Sequence, residues 1–227
     1  MAGGNYLPCL IIFMSIPSSS LNAQEIKSDR HIGPSLNAAL RQELLDMGKA
    51  DQDASNETLK ELGKAGVTLD KDTPFSKIWM IALTNGISDL RLRLQHTNRM
   101  MTIVDQYGWP GKSIAGSDGA NAAWLLVQHS DLDCDFQKRC LKLMEQAPEG
   151  EVERQHIAYL MDRVLVSEGK KQRYGTQFGP GGMLRPIEDE GTVDVRRKEV
   201  GLSPLKEYVE TDHRYYSAFA KPDPVPR

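Results

Sequence analysis

Apolar residues recur at intervals of three and four along most of the chain, which is the spacing of amphipathic helices. Pro34 and Ser35 are predicted to open a first helix, whose apolar face extends to about Ala50. The segment 51–73 contains glycines and is followed by Pro74, so it is predicted to be mostly loop, and only 56–65 could form a short surface helix.

A second apolar stripe follows Phe75, and its members fall on one face of a helical wheel: Trp79, Leu83, Leu90, Leu94, Thr97, Met101 and Val104. Either one helix covers 76–106 or the pair Asn85-Gly86 divides it. We favour the division, because an interior glycine costs about 1 kcal/mol relative to alanine and Asn-Gly is a turn pair. His96 and Arg99 are predicted to point away from this stripe.

A turn at 108–111 precedes the most apolar segment of the chain, 120–129. Ser117 or Asp118 is expected to cap this helix, which should be buried at the centre of the fold. Further helices are predicted at 136–146, 153–168, 193–200 and from Ser203 to about 212. The segments 172–178 and 183–187 flank a glycine-rich turn and predict a β-hairpin. We therefore expect a mainly α protein, a single compact helical domain of about six to eight helices with one short C-terminal β-hairpin.

Residues 1–23 carry no charged side chain, and their apolar run from Leu7 to Pro17 predicts a signal peptide, cleaved after Ala23 or Ser20. Eleven apolar residues fall short of the ~20 that span a bilayer, so no transmembrane segment is expected in the mature chain. A flexible entry segment (24–33), the helical domain (34–212) and a loose tail with prolines (213–227) should follow. An exported protein, periplasmic or secreted, is predicted.

The composition is that of an ordinary globular chain, since 40% of its 227 residues are hydrophobic and 26% are charged. Its length suggests one domain. A net charge of −3 without a cluster of Lys or Arg gives no expectation of nucleic-acid binding.

His129 ends the apolar helix and is followed by Asp131, Asp133 and Asp135. It could simply be placed at the negative end of the helix dipole, or it could act as a general base or a metal ligand beside Asp131 and Asp133. The acids resemble the start of a calcium loop, but Phe136 stands where that loop needs glycine. We therefore interpret them mainly as caps of the next helix and expect no metal site.

Asp162 lies at the edge of an apolar helix face, where a carboxylate needs a partner. We expect it to pair with an Arg or Tyr side chain, or to be a second catalytic carboxylate. Its neighbour Arg163 is predicted on the polar side of that helix. In the hairpin, Gln172 and Tyr174 share one face and Gln177 lies on the other.

Several motifs together resemble a bacterial family of domains of unknown function: Y-G-W-P-G (107–111), Q-H-x-D (128–131), Q-R-Y-G-T-Q-F (172–178), P-I-E-D (186–189) and V-D-x-R-R (193–197). The resemblance is dense from about 98 to 210 and carries no activity or cofactor with it. It implies one recurring set of polar residues: His129, Asp131, Asp162, Arg163, Gln172, Tyr174, Gln177, Glu188 and Arg196.

Two hypotheses follow, and substrate, cofactor and partner stay open in both. In the first, the protein is an exported hydrolase with His129 as general base and Asp131 or Asp162 orienting it. The binding residues would then be Arg163, Gln172, Tyr174, Gln177 and Arg196, and all should converge on one cleft. In the second, the domain is a non-catalytic binding or scaffold module, and the same residues form a buried polar network.

Overall fold

The computed structural model describes residues 36–64, 75–179 and 183–211. The predicted signal peptide, the entry segment and the tail from 213 lie outside these residues. The helices are α1 (Ala38–Lys64), α2 (Phe75–Tyr107), α3 (Lys112–Gln128), α4 (Cys134–Glu145), α5 (Arg154–Ser167), a 3-10 helix (Glu190–Thr192), α6 (Val193–Glu199) and α7 (205–211). The prediction of a mainly helical single domain is confirmed.

Helix α3 lies at the centre of the fold, where it contacts α1, α2, α4 and α5. Its side chains Ala123, Leu126 and Val127 are buried in the core, as its apolar sequence predicts. Helix α1 crosses it closely, because a Cβ atom at Gly48 would lie 3.1 Å from the Cβ atom of Ala122. This crossing sets the next turn of α1 against the end of α3.

Helix α1 continues to Lys64, so the prediction that it ends near Ala50 is wrong. The reason is that its buried face changes from apolar to polar. Asp51 and Ser55 continue the positions of Leu40 and Leu44 at helical spacing, and both are buried. A search for apolar periodicity stops where these polar residues begin.

Helix α2 is one element, so the predicted division at Asn85-Gly86 is also wrong. One interior glycine costs about 1 kcal/mol, which is small beside the packing of a long helix. The buried face is rotated relative to the predicted stripe: Leu90 and Leu94 are 41% and 45% exposed, whereas His96 and Met100 are buried. The prediction that His96 points outward is therefore incorrect.

Helix α3 begins at Lys112 rather than at Ser117 or Asp118, and it is kinked at Gly116. Gly116 has φ +72°, a conformation that glycine adopts without strain, so two helical pieces join there. The start of the helix binds the chain's own carboxylate, because the backbone N–H and the hydroxyl of Ser113 donate to Glu151 Oε2 at 3.0 and 2.9 Å.

The predicted hairpin is not confirmed. In the described segments 172–179 and 183–187, the chain forms isolated bridges, a parallel one between Gln172 and Ile187 and an antiparallel one between Phe178 and Leu184. The side-chain amide of Gln172 takes the backbone groups that a ladder would use: it donates to Gln177 O at 2.9 Å and to Arg185 O at 2.7 Å, and it accepts from Gln177 N at 2.8 Å.

Candidate functional site

A buried carboxylate and a buried imidazole meet where α1 reaches the end of α3. Asp51 Oδ2 is hydrogen-bonded to Nδ1 of His129, and the two residues are 1% and 7% exposed. Because a carboxylate only accepts, Nδ1 carries the donated proton. The lone pair of the neutral ring is then on Nε2, which is the arrangement of a general base oriented by a carboxylate.

The Asp51 side chain carries its negative charge at neutral pH. Burial alone would raise the pKa of Asp51, but the hydrogen bond from His129 and the electrostatic interactions with His129, Arg93 and His96 outweigh it, so the pKa is lowered. The pair is therefore an ionised carboxylate that supports an imidazole.

Helix α2 supplies the third side of this cluster. Arg93 Nη2 donates to Ser55 Oγ at 2.9 Å. Thr97 Oγ1 donates at 3.0 Å to the hydroxyl of Ser130, the residue that follows His129. His96 lies between these two contacts along α2 and is buried. Burial lowers the pKa of His96, Asp51 opposes this effect and Arg93 adds to it, so the ring is neutral at neutral pH.

A second polar cluster joins α3 to α4 and α5 through Asp131 and Arg163. Arg163 Nη1 lies 2.5 Å from Asp131 Oδ1, and its Nε donates to Gln128 Oε1 at 2.9 Å. Gln137 donates to the carbonyls of Val127 and Gln128. Arg163 is buried here, so its predicted position on the polar side is wrong.

The acids after His129 include the expected cap, since Asp133 Oδ1 accepts from the backbone N–H of Phe136 at 2.8 Å. Asp133 is the N-cap of α4, as predicted for one of these residues.

A third cluster is centred on Asp162, which is fully buried. Its carboxylate accepts from the backbone N–H groups of Arg173 (2.7 Å), Tyr174 (3.0 Å) and Thr176 (3.0 Å), and from the Thr176 hydroxyl (3.0 Å). The expected partner, an Arg or Tyr side chain, is therefore replaced by a loop backbone. Burial raises the pKa of Asp162 and these hydrogen bonds oppose the rise.

Two neighbouring arginines hold the same loop by its carbonyl groups. Arg196 donates to the carbonyls of Arg173 and Glu188 at 2.9 and 2.6 Å. Arg197 donates to the carbonyls of Tyr174 and Ser203 at 2.6 Å each. Gln177 Nε2 donates to the Thr176 hydroxyl at 3.1 Å, so it also bonds within the loop.

The residues singled out from the sequence thus belong to separate hydrogen-bonding groups. His129 is bonded to Asp51, and Asp131 is bonded to Arg163. The carboxylate of Asp162 is bonded to the 173–176 loop, which Gln172, Gln177 and Arg196 also hold. The carboxylate bonded to His129 is on α1, a helix in which the sequence patterns indicated no candidate site residue.

A usable signal for the missed residues was present in the sequence. Asp51 lies seven residues after Leu44, and His96 lies four before Met100, so each continues a buried helix face at helical spacing. A polar residue at such a buried position is either hydrogen-bonded to another part of the fold or has a functional role.

The fold and these contacts define a small helical domain that encloses an Asp–His pair at the junction of its first three helices. The chain belongs to the DUF6624 family of unknown function, whose sequence model matches residues 38–220. The expected membership of a family of unknown function is thereby confirmed. No curated protein and no solved structure matches the chain. In the part of the chain that the structure describes, no helix has the length and apolar composition needed to cross a bilayer.

Proposed function

We propose that this domain is an acid–base enzyme of the hydrolase type, in which His129 is the general base and Asp51 orients it. The observation that carries the proposal is the bond between Asp51 Oδ2 and His129 Nδ1 in a buried setting. This bond fixes the tautomer that has its free lone pair on Nε2. A solvated histidine at a helix end would need no such carboxylate.

In the proposed reaction, Nε2 of His129 takes a proton from a water molecule as that water attacks the substrate. The imidazolium that forms is stabilised by the charge of Asp51, which stays ionised because its pKa is lowered. The proton is then returned to the leaving group. General base catalysis of this kind contributes about 10²- to 10⁴-fold in rate.

The test is a panel of chromogenic substrates, comprising p-nitrophenyl acetate, p-nitrophenyl phosphate, bis-p-nitrophenyl phosphate and p-nitrophenyl glycosides. We expect turnover of at least one of them, and a loss of about 10²-fold or more in kcat/KM for Asp51→Asn and His129→Gln. Asp53→Asn is the matched control, because Asp53 lies on the same helix and pairs with Lys49 at the surface. Equal turnover by Asp51→Asn and Asp53→Asn would refute the proposed roles.

The second candidate function is a non-catalytic binding or scaffold module. It is favoured by the fully internal bonding of Asp162, whose carboxylate is saturated by four donors of the chain itself. If this function is correct, Asp51→Asn and His129→Gln lower the free energy of unfolding, and the wild-type protein turns over none of the substrates. Catalytic loss at unchanged stability would argue for the enzyme instead.

We also propose that the domain acts after export. The support is the uncharged stretch 1–23 with its apolar run from Leu7 to Pro17. A substrate present outside the cytoplasm is therefore the first kind to screen.

A further inference from the structure

Two buried polar atoms of the Asp51 cluster have no hydrogen-bond partner among the described residues. They are Oδ1 of Asp51, the oxygen that His129 does not use, and Nδ1 of His96. Asp51 is 1% exposed and His96 is 8% exposed, so bulk water does not satisfy these atoms. A buried ionised oxygen without a donor is costly, and native proteins rarely leave one.

The register of the helices places the two residues at the same level of the packing between α1 and α2. Helices α1 and α2 run antiparallel, because Glu43 pairs with Arg99 while Ser55, further along α1, bonds to Arg93. Asp51 lies between the two α1 positions and His96 lies between the two α2 positions. Each group also acts on the charge of the other.

We propose that Asp51 Oδ1 and His96 Nδ1 form a subsite for a single hydroxyl group. The hydroxyl donates its proton to the carboxylate oxygen, and its own oxygen accepts from the imidazole Nδ1–H. This inference rests on the proposed function, because the subsite includes the carboxylate that is proposed to orient His129. The hydroxyl comes either from a tightly held water molecule or from an alcohol group of the substrate.

The charge of the site and its need for both a donor and an acceptor favour a hydroxyl over other groups. A carbonyl, carboxylate or phosphate oxygen has no proton to offer Asp51 and would face its negative charge. An ammonium group could donate to Asp51 Oδ1 but has no lone pair to accept the Nδ1–H of His96, and it would enter a site where the guanidinium of Arg93 already lies within electrostatic range of Asp51. A neutral group that both donates and accepts fits the two atoms.

The test uses the full chain and the isosteric pair His96→Asn and His96→Leu, of which only the asparagine variant keeps a nitrogen near the position of Nδ1. We expect the pKa of Asp51, followed by the ¹³C resonance of its carboxyl carbon, to be about one pH unit or more higher in His96→Leu than in His96→Asn. The reason is that the leucine variant loses the hydroxyl that stabilises the charged carboxylate. Equal values in the two variants would overturn the proposal.

Two arms of the same NMR experiment identify the source of the hydroxyl. A long-lived water appears as cross-relaxation between the water signal and the ring protons of His96. A substrate alcohol site shows no such water and responds to added methanol with a saturable shift of the Asp51 carboxyl resonance, absent in His96→Leu. If neither signal is found, or if Arg93 donates directly to Oδ1 in a high-resolution crystal structure, the subsite does not exist. None of these readouts needs turnover, so a protein without hydrolase activity would refute only the proposed function.

Discussion

Replacing Asp162 by alanine should destabilise the domain more than loss of an exposed carboxylate of similar size. Asp162 is fully buried on α5, and its two oxygens receive three backbone N–H groups and one hydroxyl from the loop 173–176. The alanine side chain has no oxygen to accept hydrogen bonds from these four donors. The loop must then either leave them unsatisfied or move away from α5 to hydrate them.

The magnitude follows from the number and kind of these bonds. A hydrogen bond to a charged group contributes about 1.5–3 kcal/mol, and a buried donor left unpaired costs about 1–3 kcal/mol. Four such bonds are not additive, because the loop relaxes as one unit. Arg173 is exposed, so its N–H is readily hydrated. We therefore expect Asp162→Ala to lower the free energy of unfolding by about 3–5 kcal/mol, the range for breaking a buried charged network.

Urea unfolding followed by tryptophan fluorescence measures this effect, since Trp124 lies in the core and its Nε1 donates to the carbonyl of His156 on α5. Asp194→Ala is the matched control, because the carboxylate of Asp194 accepts one exposed bond, from the backbone N–H of Leu205 at 2.7 Å. That control should cost about 1 kcal/mol or less. If the two variants lose the same stability, the loop is not held by Asp162 in the way described.

Three further predictions can be checked independently. His156 is stacked on Trp124 and burial lowers its pKa to about 4, so the unfolded chain binds more protons than the folded one between pH 6.5 and 4. Stability should therefore fall by about 3 kcal/mol as the pH drops through this window, and urea unfolding of His156→Phe should lack that component. Gly48→Val should separate α1 from α3 and cost about 1–3 kcal/mol in thermal unfolding, whereas Gly48→Ala, with one methyl group and a better helix propensity, should be close to neutral. Mass spectrometry of the protein expressed with its leader in a secreting bacterial host should find a new N-terminus after Ala23 or Ser20; an unprocessed N-terminus would contradict the predicted signal peptide.

The parts of the fold that the sequence predicted well are those in which the buried face is apolar from end to end. Helix α5 matches its prediction of 153–168 within one residue at each end, and α3 is central because almost all its later residues are apolar. The kink in α3 was not predicted, because the sequence before Gly116 is typical of a loop, whereas only the sequence after it is typical of a helix. Glycine at positive φ supports either reading from sequence alone.

The candidate site was less predictable because its groups lie on helix faces where apolar residues are expected. His129 was identified from its position beside three acids, yet its carboxylate comes from a residue 78 positions earlier. Chain proximity suggested Asp131, which instead bonds to Arg163. The alternation of 172–187 predicted a hairpin, but nothing in it shows that Gln172 would bond to the loop's own backbone. Pairings of this kind depend on tertiary contact.

The separation of Asp51 from His129 along the chain ties the completion of the site to the completion of folding. A fragment that begins near residue 98 would keep nearly every motif by which the chain resembles its family, including the histidine, and would lack the carboxylate entirely. Closing a loop of 78 residues carries an entropic cost that local helix formation does not, so the pair should form late, after α3 has found its neighbours. Partly folded or truncated chains would then expose an unsupported imidazole, and whatever chemistry the pair performs would be confined to the finished domain.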